Sequence, residues 1–245
     1  MMDYNQKLPV ALLQLPSSKR YQNNLDRLVN FIKQNPKTKI IVAPEVYITA
    51  YDYEHLSTAA KFSAKAIKEL KKLIDEQMLV LSVILKDKKS GNFANSAIVI
   101  HKHKIVHKQD KYKLFRLGDE HKYLKAGKAK KIKPFEVDGI KFGLLICFEL
   151  RFKELWKQLE GVDIVLVPAR WGLPRKLHLE ILSRALAVMN QCFVLLCNSS
   201  DSDMASSSSI ISPTGEYIQD DSREIIKYNI NLKDIKKIRR YIAMD

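Results

Sequence analysis

Two hydrophobic rhythms alternate along the chain. Runs rich in β-branched residues at 9–15, 39–43, 78–85, 95–100, 104–107, 132–137, 140–146, 163–168, 192–198, 206–212, 216–219 and 224–230 read as strands. Between them, Leu25, Leu28, Val29 and Ile32 recur at three- and four-residue steps, predicting a helix capped by Ser17 or Ser18. The same period predicts a helix over 60–77 through Ala66, Ile67, Leu70, Leu73 and Ile74, and another over about 174–190. Asp138-Gly139 is a strong two-residue hairpin signal, and Pro213-Thr214-Gly215 turns a second hairpin. Hairpins mixed with strand–helix–strand units imply mixed sheets in an α/β sandwich with helices outside, closed by a basic C-terminal tail. No repeat of 20 to 50 residues is present, which excludes solenoids and propellers.

Composition narrows the function classes. The 245 residues, 46% hydrophobic and 28% charged, suit one domain over 1–245 with a sizeable core. Lys and Arg total 42 against 27 acidic residues, a formal charge of +15. The lysines are scattered without aromatic interleaving, so nucleic acid is not the expected partner, although docking of acidic partners on the basic surface stays open as a binding-protein alternative. No apolar run has membrane-spanning length and the first residues lack signal-peptide order, which gives a cytoplasmic expectation without membrane attachment. Of three cysteines, Cys192 and Cys197 lie in the apolar run CFVLLC and read as reduced core residues.

Cys147 differs. The strand FGLLI runs straight into it and a helical segment is expected from about Leu150, so the thiol sits on a strand-to-helix elbow near backbone N–H groups that favour a thiolate and an oxyanion. That local pattern reads equally as one more buried cysteine. Glu45 follows the apolar run IIVA and Pro44, where a carboxylate at the end of a buried strand needs a chemical reason. In the stretch HKQDKYKLFRLGDEHKYLKAGK, Lys111 and Glu120 stand among Leu114, Phe115 and Leu117; a buried lysine there would need a carboxylate neighbour and would be a fixed cation for an oxyanion. His101, His103 and His107 raise a metal reading, but no further ligand stands at a recognised interval.

Three segments, APEVYITAYDY, DKYKLFRLGDEHKYLKAG and GLLICFELRFKELW, resemble in order and interval the Glu-Lys-Cys motifs of the nitrilase superfamily, the carbon–nitrogen hydrolases, and within it the short bacterial amidases of the ω-amidase type. The likeness extends through DIVLVPARW, HLEILSRALAVMNQ and SIISPTGE. It implies a four-layer αββα sandwich, usually a homodimer or larger homo-oligomer, with no metal or organic cofactor. It further implies Glu45 as general base, Cys147 as nucleophile, Glu120 as an additional glutamate beside the lysine, and an oxyanion hole of Lys111 and the Phe148 N–H. The expected reaction is hydrolysis of a small amide through a thioester, with N-carbamoyl amide hydrolysis as the alternative on the same residues.

For substrate contacts, the Arg170 guanidinium is expected to grip a carboxylate, with Trp171 and Tyr51 as apolar walls and Phe115 beside them, while Glu149 and Arg151 brace the elbow. Three positions depart from the family pattern. Lys113 replaces a frequent histidine, Ala50 a frequent glycine, and Met189 a common glutamate of the long helix.

Overall fold

Twelve strands and six helices form among residues 7–244, which the computed structural model describes. The first half of the chain supplies β1 (Lys7–Leu13), α1 (Tyr21–Gln34), β2 (Ile40–Val42), α2 (Leu56–Leu73), β3 (Met78–Lys86), β4 (Phe93–His101), β5 (Lys104–Asp110) and α3 (Glu120–Tyr123). The second supplies β6 (Phe135–Val137), β7 (Ile140–Leu144), α4 (Lys153–Lys157), β8 (Ile164–Pro168), α5 (Lys176–Met189) and β9 (Phe193–Cys197). It ends with β10 (Ser209–Ile211), β11 (Tyr217–Gln219), β12 (Ile225–Asn231) and α6 (Lys233–Tyr241).

The strands make two six-stranded sheets, ordered β12-β1-β2-β3-β4-β5 and β11-β10-β9-β8-β7-β6. Each has three parallel strands in its interior, β1-β2-β3 and β7-β8-β9, flanked by antiparallel neighbours. Alternation along the strands decides what each side chain meets. Val10, Leu12, Ile40, Val42 and Val80 face the second sheet, where Leu144, Leu166 and Leu195 join the same core. Ala11, Leu13, Ile41, Leu79 and Leu81 face outward onto Leu25, Leu28, Ile32, Ile67 and Leu70 of α1 and α2. α5 covers the second sheet over β9 and β10, completing an α/β sandwich of four layers. Burial on both faces explains why these strands read as nearly unbroken apolar runs.

Several boundaries differ from the sequence expectation, each for a local reason. Neither Ser17 nor Ser18 caps α1. The Ser17 hydroxyl donates to the Tyr47 carbonyl at 3.1 Å and the Ser18 N–H donates to buried Asn24 Oδ1 at 2.7 Å, so the helix starts only at Tyr21. α2 begins at Leu56 and stops at Leu73, because the Ile74 and Asp75 carbonyls accept from His103 and Lys102 of the β4–β5 turn. After Cys147 the chain makes a 3-10 turn, Cys147–Arg151, before the short α4. The basic tail is helical. Ile235 of α6 is buried, and Arg239 donates to the Val162 carbonyl beside Asp163.

Parallel strands deliver their C-terminal ends to one edge of a sheet, and this sets the site. The segments after β2, β7 and β8 carry Glu45, Cys147 and Arg170, and β5 leads directly into Lys111.

Candidate active site

Lys111 is clamped before its side chain does anything. Its N–H donates to the Asn95 carbonyl and its carbonyl accepts from Gly127 N–H, both at 2.8 Å. Gly127 must be glycine here, because a Cβ would stand 2.2 Å from the Asp110 carbonyl oxygen. The side chain is wholly buried, and its ammonium donates to Glu45 Oε1 at 2.7 Å and Glu120 Oε1 at 2.6 Å. Burial pulls the Lys111 ammonium down, but Glu45, Cys147 and Glu120 together hold it above its ordinary value, so it stays charged.

The two carboxylates are held differently. Glu120 is tied at both oxygens, Oε1 by Lys111 and Tyr51 and Oε2 by the Phe115 N–H at 3.1 Å. Glu45 receives Lys111, Tyr51 and Asn95 all on Oε1, at 2.7, 2.7 and 2.8 Å, and no described residue donates to its Oε2. Glu45 thus keeps one oxygen available to a proton, whereas Glu120 is fixed as a brace. Burial, and then the Glu45 charge, raise the Glu120 carboxyl against the pull of Lys111.

Cys147 opens the 3-10 turn with φ 52°, a left-handed backbone that a non-glycine residue rarely adopts, in keeping with the elbow expected from sequence. Glu149 holds this turn against the Lys111 segment. Its Oε2 accepts from Ile146 N–H at 2.7 Å and its Oε1 from Tyr112 N–H at 2.6 Å, while burial pushes its carboxyl up to about 7. The sulfur does not rest as the thiolate that the elbow suggested. Burial, then Glu45, push the Cys147 thiol well above its usual range, and Lys111 and the Arg170 N–H offset this only in part. Phe148 is the second residue of the turn, where N–H groups lack partners within the helix.

The remaining sequence candidates divide. Phe115, Phe148, Arg170 and Trp171 line a cavity of about 20 Å³ over Cys147, room for about one water molecule. Arg170 corrects the expectation. Its guanidinium pairs with Asp201 Oδ2 at 2.7 Å and reaches Ser17 Oγ, and what faces the sulfur is its backbone N–H, 3.5 Å from Cys147 Sγ. Tyr51 is also corrected as an apolar wall, since its hydroxyl belongs to the Glu45–Glu120–Lys111 network. Sequence reasoning missed Asn95, and it assigned Arg151 to bracing. Arg151 does tie the elbow to α5, through His178 Nδ1 at 3.0 Å, and with Arg175 it also lines the cavity, the two stacked on Trp171 at 4.6 Å and Phe115 at 5.1 Å; among the described residues neither pairs with a carboxylate. Lys113 leaves the cavity's charge unchanged, pairing with Glu154 at 2.8 Å over the Phe152 ring. The three histidines go separate ways: His101 to the Gln77 carbonyl, His103 to the Lys71 carbonyl and His107 to Gln109.

The sequence model of a family described as carbon-nitrogen hydrolase matches residues 9–240. The chain is 31% identical over 233 residues to the 2-oxoglutaramate amidase of Bacillus subtilis strain 168, covering 90% of this chain and 89% of that one. It is 31% identical over 184 residues to omega-amidase YafV of Escherichia coli K12, covering 73% and 71%. Among solved structures, Saccharomyces cerevisiae Nit3, a member of branch 10 of the nitrilase superfamily, superposes with a TM-score of 0.85 at 26% identity, covering 99% of this chain and 97% of Nit3.

The turn between Glu45 and Tyr51 yields a test. Ala50 sits at φ 50°, which explains why glycine suits this position. Ala50→Gly should raise the unfolding free energy by about 0.5–1 kcal/mol, the left-handed penalty exceeding glycine's entropic cost, as read by denaturant titration.

Proposed function

The chain belongs to the carbon-nitrogen hydrolase family, and from that premise we propose that it is an amidase of the ω-amidase kind, hydrolysing the terminal amide of a small substrate that carries a carboxylate at its other end. The observation that carries this reading is the buried Lys111 ammonium between two carboxylates, one with a free oxygen, whose charges act on the Cys147 thiol.

Cys147 attacks the amide carbon as its thiol proton passes to Glu45 Oε2, so a sulfur that resists ionisation loses its proton only as the C–S bond forms. Negative charge builds on the former carbonyl oxygen, where the Lys111 ammonium and the Phe148 N–H supply the compensating positive field. Glu45 returns the proton to the departing nitrogen, the C–N bond breaks, and ammonia leaves with a thioester behind it. Water, deprotonated by the same carboxylate, adds to the thioester carbonyl, and collapse releases the acid and restores the thiol.

Two features support an anionic far end on the substrate. Arg151 and Arg175 flank the cavity as cations without carboxylate partners, close enough that burial and then the Arg175 charge hold the Arg151 guanidinium below its ordinary value. The relatives named 2-oxoglutaramate amidase and omega-amidase agree with that chemistry.

We also infer a homo-oligomer built on the outer face of α5. Leu177, Ile181 and Val188 there are 64%, 55% and 47% exposed, an apolar stripe at helical spacing.

Three experiments test these readings. Intact-protein mass spectrometry during brief incubation with small ω-amides should detect an acyl adduct mapping to Cys147. Cys147→Ala should lose the adduct and at least about 10³-fold of ammonia release, while Cys192→Ala keeps both; full turnover by Cys147→Ala rejects the thioester route. Arg151→Met should lower kcat/KM for a carboxylate-bearing amide by about 10- to 100-fold and leave a neutral amide such as propionamide nearly unchanged. Light scattering should report a multiple of the chain mass for the native protein and a smaller species for Ile181→Glu.

A further inference from the structure

The Tyr51 hydroxyl has more acceptors than hydrogens. It lies 2.7 Å from Glu45 Oε1 and 2.8 Å from Glu120 Oε1, so two carboxylates compete at nearly equal distance for one O–H. Its oxygen is itself spoken for. Asn95 Nδ2 donates to it at 3.0 Å and Lys111 Nζ approaches at 3.4 Å, which turns the single hydrogen toward the carboxylates. Asn95 cannot be reversed without cost, since its Nδ2 also donates to Glu45 Oε1 at 2.8 Å and a flipped amide would set oxygen against oxygen.

Resting on the reading of Glu45 as general base, we propose that Tyr51 is a rotating donor: its O–H points to Glu45 while that carboxylate is ionised and swings to Glu120 once Glu45 holds the thiol proton. No bond to the phenol oxygen breaks. The proton that moves is the thiol's, from Cys147 Sγ to Glu45 Oε2, and the phenol hydrogen only changes acceptor. The consequence is electrostatic. Protonation makes Glu45 Oε1 a poorer acceptor just as Glu120, still ionised and anchored by Lys111 and the Phe115 N–H, remains a good one. The hydroxyl therefore has a charged partner in both states, and the step that protonates Glu45 does not strand a buried donor.

The surroundings keep the group a donor. Burial, then Glu45, Glu120 and Cys147, hold the Tyr51 phenol well above its usual range, so it stays protonated. The charged and titratable groups facing it are Glu45, Glu120, Lys111, Cys147 and, across a 5.5 Å ring contact, Tyr53, whose own phenol burial also raises, with Asp119 acting on it from beyond. Tyr51 is thus a positioning residue for the base, not a wall for the substrate.

The test is the pH dependence of kcat/KM for ammonia release by wild type and Tyr51→Phe, whose ring keeps the packing. A donor to ionised carboxylates favours their ionised form, so its loss raises the proton affinity of the Glu45–Glu120 pair. Because the hydroxyl keeps an ionised partner after Glu45 is protonated, the acid limb should move up by only about half a pH unit, with kcat down about 10-fold and KM little changed; a shift well beyond about one unit, the mark of a donor stranded on Glu45, overturns the rotation. Replacing Tyr51 by 3-fluorotyrosine, a more acidic and stronger donor, should move the limb the opposite way, which a packing role would not do. An unmoved acid limb in both variants, or a rise in KM alone, overturns the rotating donor in favour of packing or substrate contact. Mass spectrometry of the wild type keeps the two claims apart. An acyl adduct on Cys147 with an unmoved limb sinks only the Tyr51 role, and absence of the adduct sinks the thioester reading and the Tyr51 role with it.

Discussion

A single ammonium without water contact governs this site. Lys111 has none of its side chain exposed, and an unpaired cation at such a position costs several kcal/mol, roughly. Glu45 and Glu120 offset that cost, and the lysine in turn lets two carboxylates remain close together away from solvent. Remove Lys111 and two buried carboxylates are left facing each other without compensation. Burial first, and then the Glu45 charge, hold the neighbouring thiol in its neutral form, so it requires a base at the moment of attack.

The sandwich supplies what the charges need, a fixed relation between two sheets. Glu45 and Lys111 come from the first sheet and Cys147 from the second. Polar links span the gap: the Glu45 N–H donates to the Ala169 carbonyl at 3.1 Å, Gln109 Nε2 donates to the Leu144 carbonyl at 3.0 Å, and the Glu149 carboxylate ties the Cys147 turn to Tyr112, the residue after the lysine. The apolar core between the sheets sets their spacing, while these polar links set the register at the edge where the chemistry lies. The buried carboxyl of Glu149 belongs to the framework, because every one of its contacts is to backbone N–H groups.

What the chain revealed in advance follows the range of the interactions. Strand and helix periods are local, so the elements, both hairpins and the strand-to-turn setting of Cys147 were legible, as was the need of a buried Lys111 for acidic company. Ser17 and Ser18 misled because Tyr47 and Asn24 claim them, through contacts no cap pattern encodes. Arg170 misled for the same reason at longer range, its guanidinium being taken by Asp201, which lies beyond β9 in the chain. Asn95 was invisible, since an asparagine within an apolar strand carries no sign of which glutamate it will meet. Tyr51 was noticed for its ring, although its contribution lies in its hydroxyl.

Three non-glycine residues of the site, Val46, Ala50 and Cys147, hold left-handed backbone at φ 45°, 50° and 52°. Strain of this kind persists only where surrounding structure enforces it, and each instance draws on the modest free energy that separates native from denatured chain. The turns that bear the chemistry therefore keep their shape only while the packing and hydrogen bonds around them hold. A substitution that loosens that packing should relax these turns and misplace the thiol and its base even where both sheets still stand.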